Sequence, residues 1–287
     1  MTAIHRTRLF LSITLGLGLL LCSCAAFQPP DTGGPRSTGP LYPILLTEQT
    51  QRTDAANLAF SRLTQGSSQQ TGVQPQLQPI TAAIQSLPGN LSTPLYLPKV
   101  GTNPEMNEEE TRESLRRFIT DWRVLLGVDP AQLSLVDRID RPDGVKTARY
   151  EQRPFRYPLR GGYGSVEIQF LTNRTVRNIT STGLPDAERL QSALAQITPK
   201  LTAAEAINLV RSSDIVYANS NQASTARVGA NEEVTPIELV TLVIPTSGRT
   251  DAIELHIAWE LSVGASPRRL IYVDAVEGKV LRATLAP

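Results

Sequence analysis

Ile253-Glu254-Leu255-His256-Ile257-Ala258-Trp259-Glu260-Leu261-Ser262-Val263 alternates without a break. Ile253, Leu255, Ile257, Trp259, Leu261 and Val263 point one way, and Glu254, His256, Ala258, Glu260 and Ser262 the other. A period of two with one wholly apolar side predicts a long strand, half-buried in a sheet. The polar side reads as a solvated face. Upstream, residues 238–244 are almost continuously apolar, which predicts a central strand. Downstream, 270–275 and 279–285 flank Glu277-Gly278 and predict a hairpin. Helices precede the strands. Leu190, Leu194 and Ile197 mark a short one, and Thr202-Ala203-Ala204-Glu205 is a capping-box match that opens another, with Ala206, Leu209 and Val210 on its buried side. The polar run 218–232, with Asn219-Ser220-Asn221, reads as a flexible loop.

A second unit lies upstream, over 106–184. Leu115, Phe118, Ile119, Trp122, Leu125 and Leu126 recur at helical spacing behind Glu108, Glu109 and Glu110, where the helix dipole favours negative charge. Gly127 is placed for a left-handed cap, and Pro130 prevents continuation. Strands are expected over 133–140 and 145–157 around Pro142-Asp143-Gly144, then over 165–171 and 175–180 around a turn in which Asn173 accommodates positive φ. The fold class is therefore α+β. It comprises two small units, each a helix packed on an antiparallel sheet: 106–184 and 185–287.

The N-terminus has a different texture. Arg6 and Arg8 precede an apolar run over 9–21, too short for a spanning helix, which needs roughly 20 residues, and suited to a secretory signal. The run ends in Leu21-Cys22-Ser23-Cys24, which resembles a bacterial lipobox. That likeness implies a signal over 1–23 and a lipidated Cys24, with attachment to the membrane face outside the cytoplasm, in the cell envelope. Removing Arg6 and Arg8 leaves 26 basic against 27 acidic residues, and such a balance excludes nucleic acid as a partner. Residues 24–105, rich in Pro, Gln, Ser and Thr, read as a disordered tether with one candidate helix within 44–63.

Two strings resemble the prodomain of thermolysin-like and fungalysin-like metallopeptidases. One is Tyr150-Glu151-Gln152 with Phe155, Tyr157-Pro158, Gly161-Gly162 and the strand from Val166 to Phe170. The other is Leu201-Thr202-Ala203-Ala204-Glu205-Ala206, then Ala258-Trp259, then Tyr272-Val273-Asp274-Ala275 with Gly278-Lys279-Val280-Leu281, similar to the end of a PepSY domain. Asn173-Arg174 stands where that family usually has Asp-Gly. The resemblance implies a propeptide motif followed by a PepSY-like domain. The H-E-x-x-H of the family's peptidase is absent from the sequence.

Candidate chemistry is sparse. A zinc site wants three or four N, S or carboxylate ligands. The chain after residue 23 offers His256 and a blocked Cys24, so neither metal nor other cofactor is expected. Glu254, His256 and Glu260 share a strand face without a nucleophile motif, although Ser262 and Ser266 are near in sequence. Arg149, Arg153, Arg156 and Arg160 form a basic cluster suited to an acidic partner or to anionic headgroups. The expected function is a non-enzymatic, membrane-anchored lipoprotein that binds a protein partner. By resemblance that partner is an extracytoplasmic peptidase that it inhibits or helps to fold. The alternative is a scaffold of an envelope assembly with no peptidase partner.

Overall fold

The structure, a computed structural model, describes residues 41–64, 74–89, 91, 93–102, 105–219, 222–229, 231–265 and 268–285. The expected signal, Cys24 and the tether as far as residue 40 lie outside the described residues. The described residues form one compact unit of mixed α+β architecture that contains both expected sheets. No described helix is long and apolar enough to cross a membrane.

In chain order, strand β1 (Ile44–Thr47) leads into helix α1 (Thr50–Thr64), and β2 (Gln76–Leu77) pairs with β3 (Ile84–Ser86). Helix α2 (Glu108–Asp121) and the single turn α3 (Arg123–Leu126) follow. Asn107 caps α2 through a capping box. Its Oδ1 accepts the Glu110 N–H at 2.9 Å, and Glu110 Oε2 accepts the Asn107 N–H at 2.9 Å. The sequence predicts one helix across Trp122; the structure breaks it there into two and ends it at Gly127, φ +66°, as expected.

The first sheet is the meander β4 (Leu133–Asp140), β5 (Val145–Gln152), β7 (Ser165–Leu171) and β8 (Val176–Ser181), with the two-residue β6 (Leu159–Arg160) leaving it between β5 and β7. Alternation buries Ala148, Tyr150, Val166, Ile168, Phe170 and Ile179 against Leu115, Phe118, Trp122 and Leu125. The turn after β7 departs from expectation. Positive φ falls on Arg174 (+73°), because the Asn173 side chain is used to accept the Thr175 N–H at 3.1 Å. The Arg174 guanidinium donates to the Leu97 carbonyl at 3.0 Å.

Helices α4 (Ala187–Ala195) and α5 (Ala203–Ser212) precede the hairpin β9 (Asp214–Asn219) and β10 (Gln222–Arg227). The capping box of α5 forms as the sequence predicts: Glu205 N–H to Thr202 Oγ1 at 3.3 Å, and Thr202 N–H to Glu205 Oε2 at 2.8 Å. The hairpin corrects the flexible loop expected over 218–232 at residues 218, 219 and 222–227, while residues 220, 221 and 230 of that stretch lie outside the described residues. Ile215 and Tyr217 are buried beside Leu261, Ile271 and Ala283, and β10 pairs back on β9 from Gln222 to Arg227. The second sheet runs β14 (Val280–Leu285), β13 (Arg269–Asp274), β12 (Ala252–Val263), β11 (Val234–Pro245), β6, with β1 also paired to β12. Leu190 and Leu194 of α4 cover Ile253, Leu255 and Ile257, while Ala206 and Val210 of α5 cover Leu261, Val263 and Val273.

The tether expectation is overturned for the described residues from 41 onward, while the candidate helix within 44–63 is present as α1. Ile44 lies opposite Leu255 and Leu46 opposite Ile253, so β1 is a strand of the second sheet. Phe60 of α1 is buried in the first core, its ring 6.5 Å from Trp122 in an edge-on arrangement. The Val176 N–H donates to Leu95 O at 2.8 Å, so residues 95–97 close the outer edge of β8. Helical spacing marks α1 in the sequence but not the surface that it packs on. The partners of Ile44, Leu46 and Phe60 lie roughly 60 to 210 positions away, which no local periodicity reveals.

Truncating a side chain with so little exposed surface removes its transfer energy and leaves a cavity. Phe60→Ala is therefore expected to destabilise the protein by about 3–5 kcal/mol. Leu58→Ala, on the exposed side of the same helix, should stay within about 0.5 kcal/mol. Denaturant unfolding of both variants checks this, and equal small effects would contradict the packing of α1.

Candidate partner-binding cavity and a buried histidine

The chain between β5 and β7 leaves one sheet, touches the other and returns. Its departure is anchored by Gln152, which is buried. The Gln152 Nε2 donates to Leu184 O at 3.0 Å and to Gln132 Oε1 at 3.2 Å, and its Oε1 accepts the Leu184 N–H at 3.0 Å. A buried amide satisfied on both ends holds its segment in one place. Farther on, Pro158 O accepts the Thr241 N–H at 2.8 Å, and β6 pairs in parallel with β11 at Thr241 and Leu242. Gly161, φ +99°, permits the contact. A Cβ there would stand 2.0 Å from the Val243 carbonyl oxygen.

This excursion frames a cavity of about 710 Å³ lined by Arg149, Arg153, Arg156 and Arg160, together with Phe155, Tyr157, Glu151 and Glu238. All four arginines singled out in the sequence thus line one space. They are not equivalent. Arg160 is committed inward: its Nη2 meets Glu238 at 2.8 Å and its Nε meets Glu260 at 3.2 Å. Tyr272 OH donates to the same Glu260 at 2.9 Å, and burial and that carboxylate together push its phenol well above the ordinary value. Arg149, Arg153 and Arg156 are exposed. Arg153 meets Glu151 at 3.3 Å, and the Arg156 guanidinium lies 5.2 Å from the centre of the Tyr157 ring. Neither Arg149 nor Arg156 forms an ion pair with any described residue.

The polar side of β12, expected in solvent, is buried at His256, Glu260 and Ser262. His256 Nδ1 lies 2.8 Å from Asp274 Oδ2, and its Nε2 lies 3.0 Å from Glu254 Oε2. Asp274 Oδ1 also accepts the N–H groups of Val276 and Glu277 at 2.8 and 2.9 Å, which shapes the β13–β14 turn. Tyr42 completes the cluster. Its hydroxyl donates to Asp274 at 3.0 Å and accepts the Ile257 N–H at 3.0 Å, and its ring stands edge-on to His256 at 5.6 Å. Burial, with the negative charge of Asp274, pushes the Tyr42 phenol far up. Burial pushes the Asp274 carboxyl up too, but the bonds from His256 and the turn N–H groups outweigh it and hold it below the ordinary value.

Sequence reasoning singles out Glu254 and His256 but misses Asp274 and Tyr42 as their partners. The Asp274-Ala275…Gly278 turn is the one signal available. Chemically the cluster is a tie. A general-base histidine keeps one nitrogen for the nucleophile and the other for its orienting carboxylate. Here each nitrogen faces a carboxylate. Ser262 is six residues along the strand from His256, roughly 20 Å away, and its Oγ accepts from Arg268 Nε at 2.7 Å. Ser266 and Cys24 lie outside the described residues. Among the described residues, no group of three or more His, Cys, Asp or Glu side chains is arranged to hold a metal.

Two consequences are measurable. Arg160→Ala leaves the buried Glu260 without its cation and should cost roughly 3 kcal/mol in unfolding experiments. For Asp274, the depressed folded value means that its contribution is complete above the unfolded pKa, about 3.9, and is lost as pH falls below that through the folded value. Wild type should therefore lose stability more steeply than Asp274→Asn between about pH 4 and pH 2. Parallel slopes would show that Asp274 is not held by its partners.

Comparison with known protein families and with curated proteins finds no match to this chain.

Proposed function

We propose that this chain is a non-enzymatic, membrane-anchored envelope lipoprotein whose folded part binds a protein partner through the arginine-lined cavity. The observation that carries the reading is that Arg149, Arg153 and Arg156, exposed and pointing away from the core, all line one open cavity about 710 Å³ in volume. Specific binding sites are concave, typically ~300–1,000 Å³, with a small number of placed polar groups. Anchorage rests on the lipobox-like Leu21-Cys22-Ser23-Cys24, and lack of catalysis on a histidine whose two nitrogens are both taken by carboxylates. The prodomain resemblance supports an extracytoplasmic peptidase as the partner, inhibited or helped to fold in trans. Fold-level likeness is weaker warrant than the site, so the partner's class is the first thing to measure.

A photo-crosslinking residue placed at position 153 or 156 of the full chain in cells should yield a defined protein adduct. The same residue at position 58, exposed on α1 and outside the cavity, should not. Arg149→Glu should reduce the adduct from position 153 several-fold. Identical adducts from positions 58 and 153, or adducts to lipid alone, would overturn the reading.

A further inference from the structure

We infer that the cavity is shaped for an extended acidic peptide lying along β5 and past its end, and not for a single phosphate-type anion. This rests on the cavity being the partner-binding site. The positive charges are strung out along the chain. Arg149 and Arg153 are four residues apart at and just past the end of β5, roughly 13 Å at ~3.3 Å per residue, and Arg156 stands beyond them where the chain bends over 155–157. A phosphate group needs donors that converge on one point, whereas charges spaced this far apart suit carboxylates set along a partner chain. Each guanidinium can grip one carboxylate in a two-pronged bond.

The acidic neighbours give the ligand its direction and spacing. Asp137 and Glu167 stand opposite Arg149 on β4 and β7. An acidic segment laid across the sheet would meet both carboxylates, so it runs along β5, towards Arg153 and Arg156. Glu151 lies between Arg149 and Arg153 and is bonded to the latter at 3.3 Å. The partner therefore carries acids four residues apart, opposite the two arginines, and a neutral or basic residue between them, opposite Glu151. Unused backbone donors mark the far end. The N–H groups of Phe155, Arg156 and Tyr157 make no hydrogen bond among the described residues, and all three residues line the cavity. Unpaired within the fold, they are available to bond the carbonyls or a carboxylate of an extended chain.

The test uses the detergent-solubilised full chain and fluorescently labelled peptides of Thr, Val and Ser carrying two glutamates. In the first peptide the glutamates are four residues apart, in the second adjacent, and in the third both are replaced by Gln. Anisotropy should show binding of the first, several-fold weaker binding of the second and none of the third, with affinity falling as salt rises. Arg153→Glu and Arg156→Glu should each weaken the first peptide about tenfold or more, and Glu151→Gln should erase the preference for the wider spacing. Displacement by inorganic phosphate or glycerol phosphate at the peptide's own concentration would overturn the inference in favour of a point anion or a lipid headgroup. Failure of every peptide to bind a folded protein would also overturn it. If crosslinking from position 153 still captured a protein in that case, the partner-binding reading would stand while the acidic-peptide inference fell. Peptide binding without a protein adduct would support the acidic-peptide inference and remove the protein partner in cells.

Discussion

Strand β12 must satisfy the hydrogen-bonding groups on both of its edges, and the architecture follows from how it does so. One edge is covered by β11 over nearly its whole length. The other is shared: β1 takes residues 252–255, and β13 takes 258–263. The junction leaves the Ile257 N–H facing a gap, and the Tyr42 hydroxyl fills it. A buried amide without a partner costs about as much as a lost hydrogen bond, so this one phenol decides whether β1 and β13 can abut on the same strand. Asp274 accepts from Tyr42, from His256 and from its own turn, which joins the first strand of the fold to the last hairpin.

A second constraint unites the two sheets. Gly161 lets the chain between β5 and β7 rest against the Val243 carbonyl, and Arg160 is thereby delivered to Glu238 and Glu260. The same excursion holds Arg153 and Arg156 outward. The cavity is thus a by-product of how the first sheet is fastened to the second. Its charge excess is the part that the fastening does not consume: Arg160 is neutralised inward, and the other three arginines face solvent, with Glu151 bonded to Arg153 alone among them. Exposed charges of this kind add little to stability, which leaves them free for recognition.

Much of the secondary structure is legible because its signals are local. The alternation of 253–263, the apolar run near 238–244 and the Thr202–Glu205 box each report a period or a cap within a few residues. The departures from expectation share one cause. Tyr42 and Ile44 read as tether, and Phe60 as one side of a candidate helix with no surface to cover, because their partners Asp274, Leu255 and Trp122 are remote in sequence. The polar side of β12 suggests a solvated face because alternation states which residues share a face, not what covers that face.

By itself, then, the sequence determined the α+β class, the principal helices and strands with their buried sides, and the clustering of four arginines within twelve positions. Tertiary structure alone decided that the described residues between 41 and 100 contribute strands and pack their helix into the first core, that His256 is locked between Glu254 and Asp274, and that one arginine of the four is structural while three remain outward. The physical reason is range. Propensity, capping and periodicity act over one or two turns of chain, whereas the pairing of a buried polar group is settled by whichever partner the packed chain brings within about 3 Å.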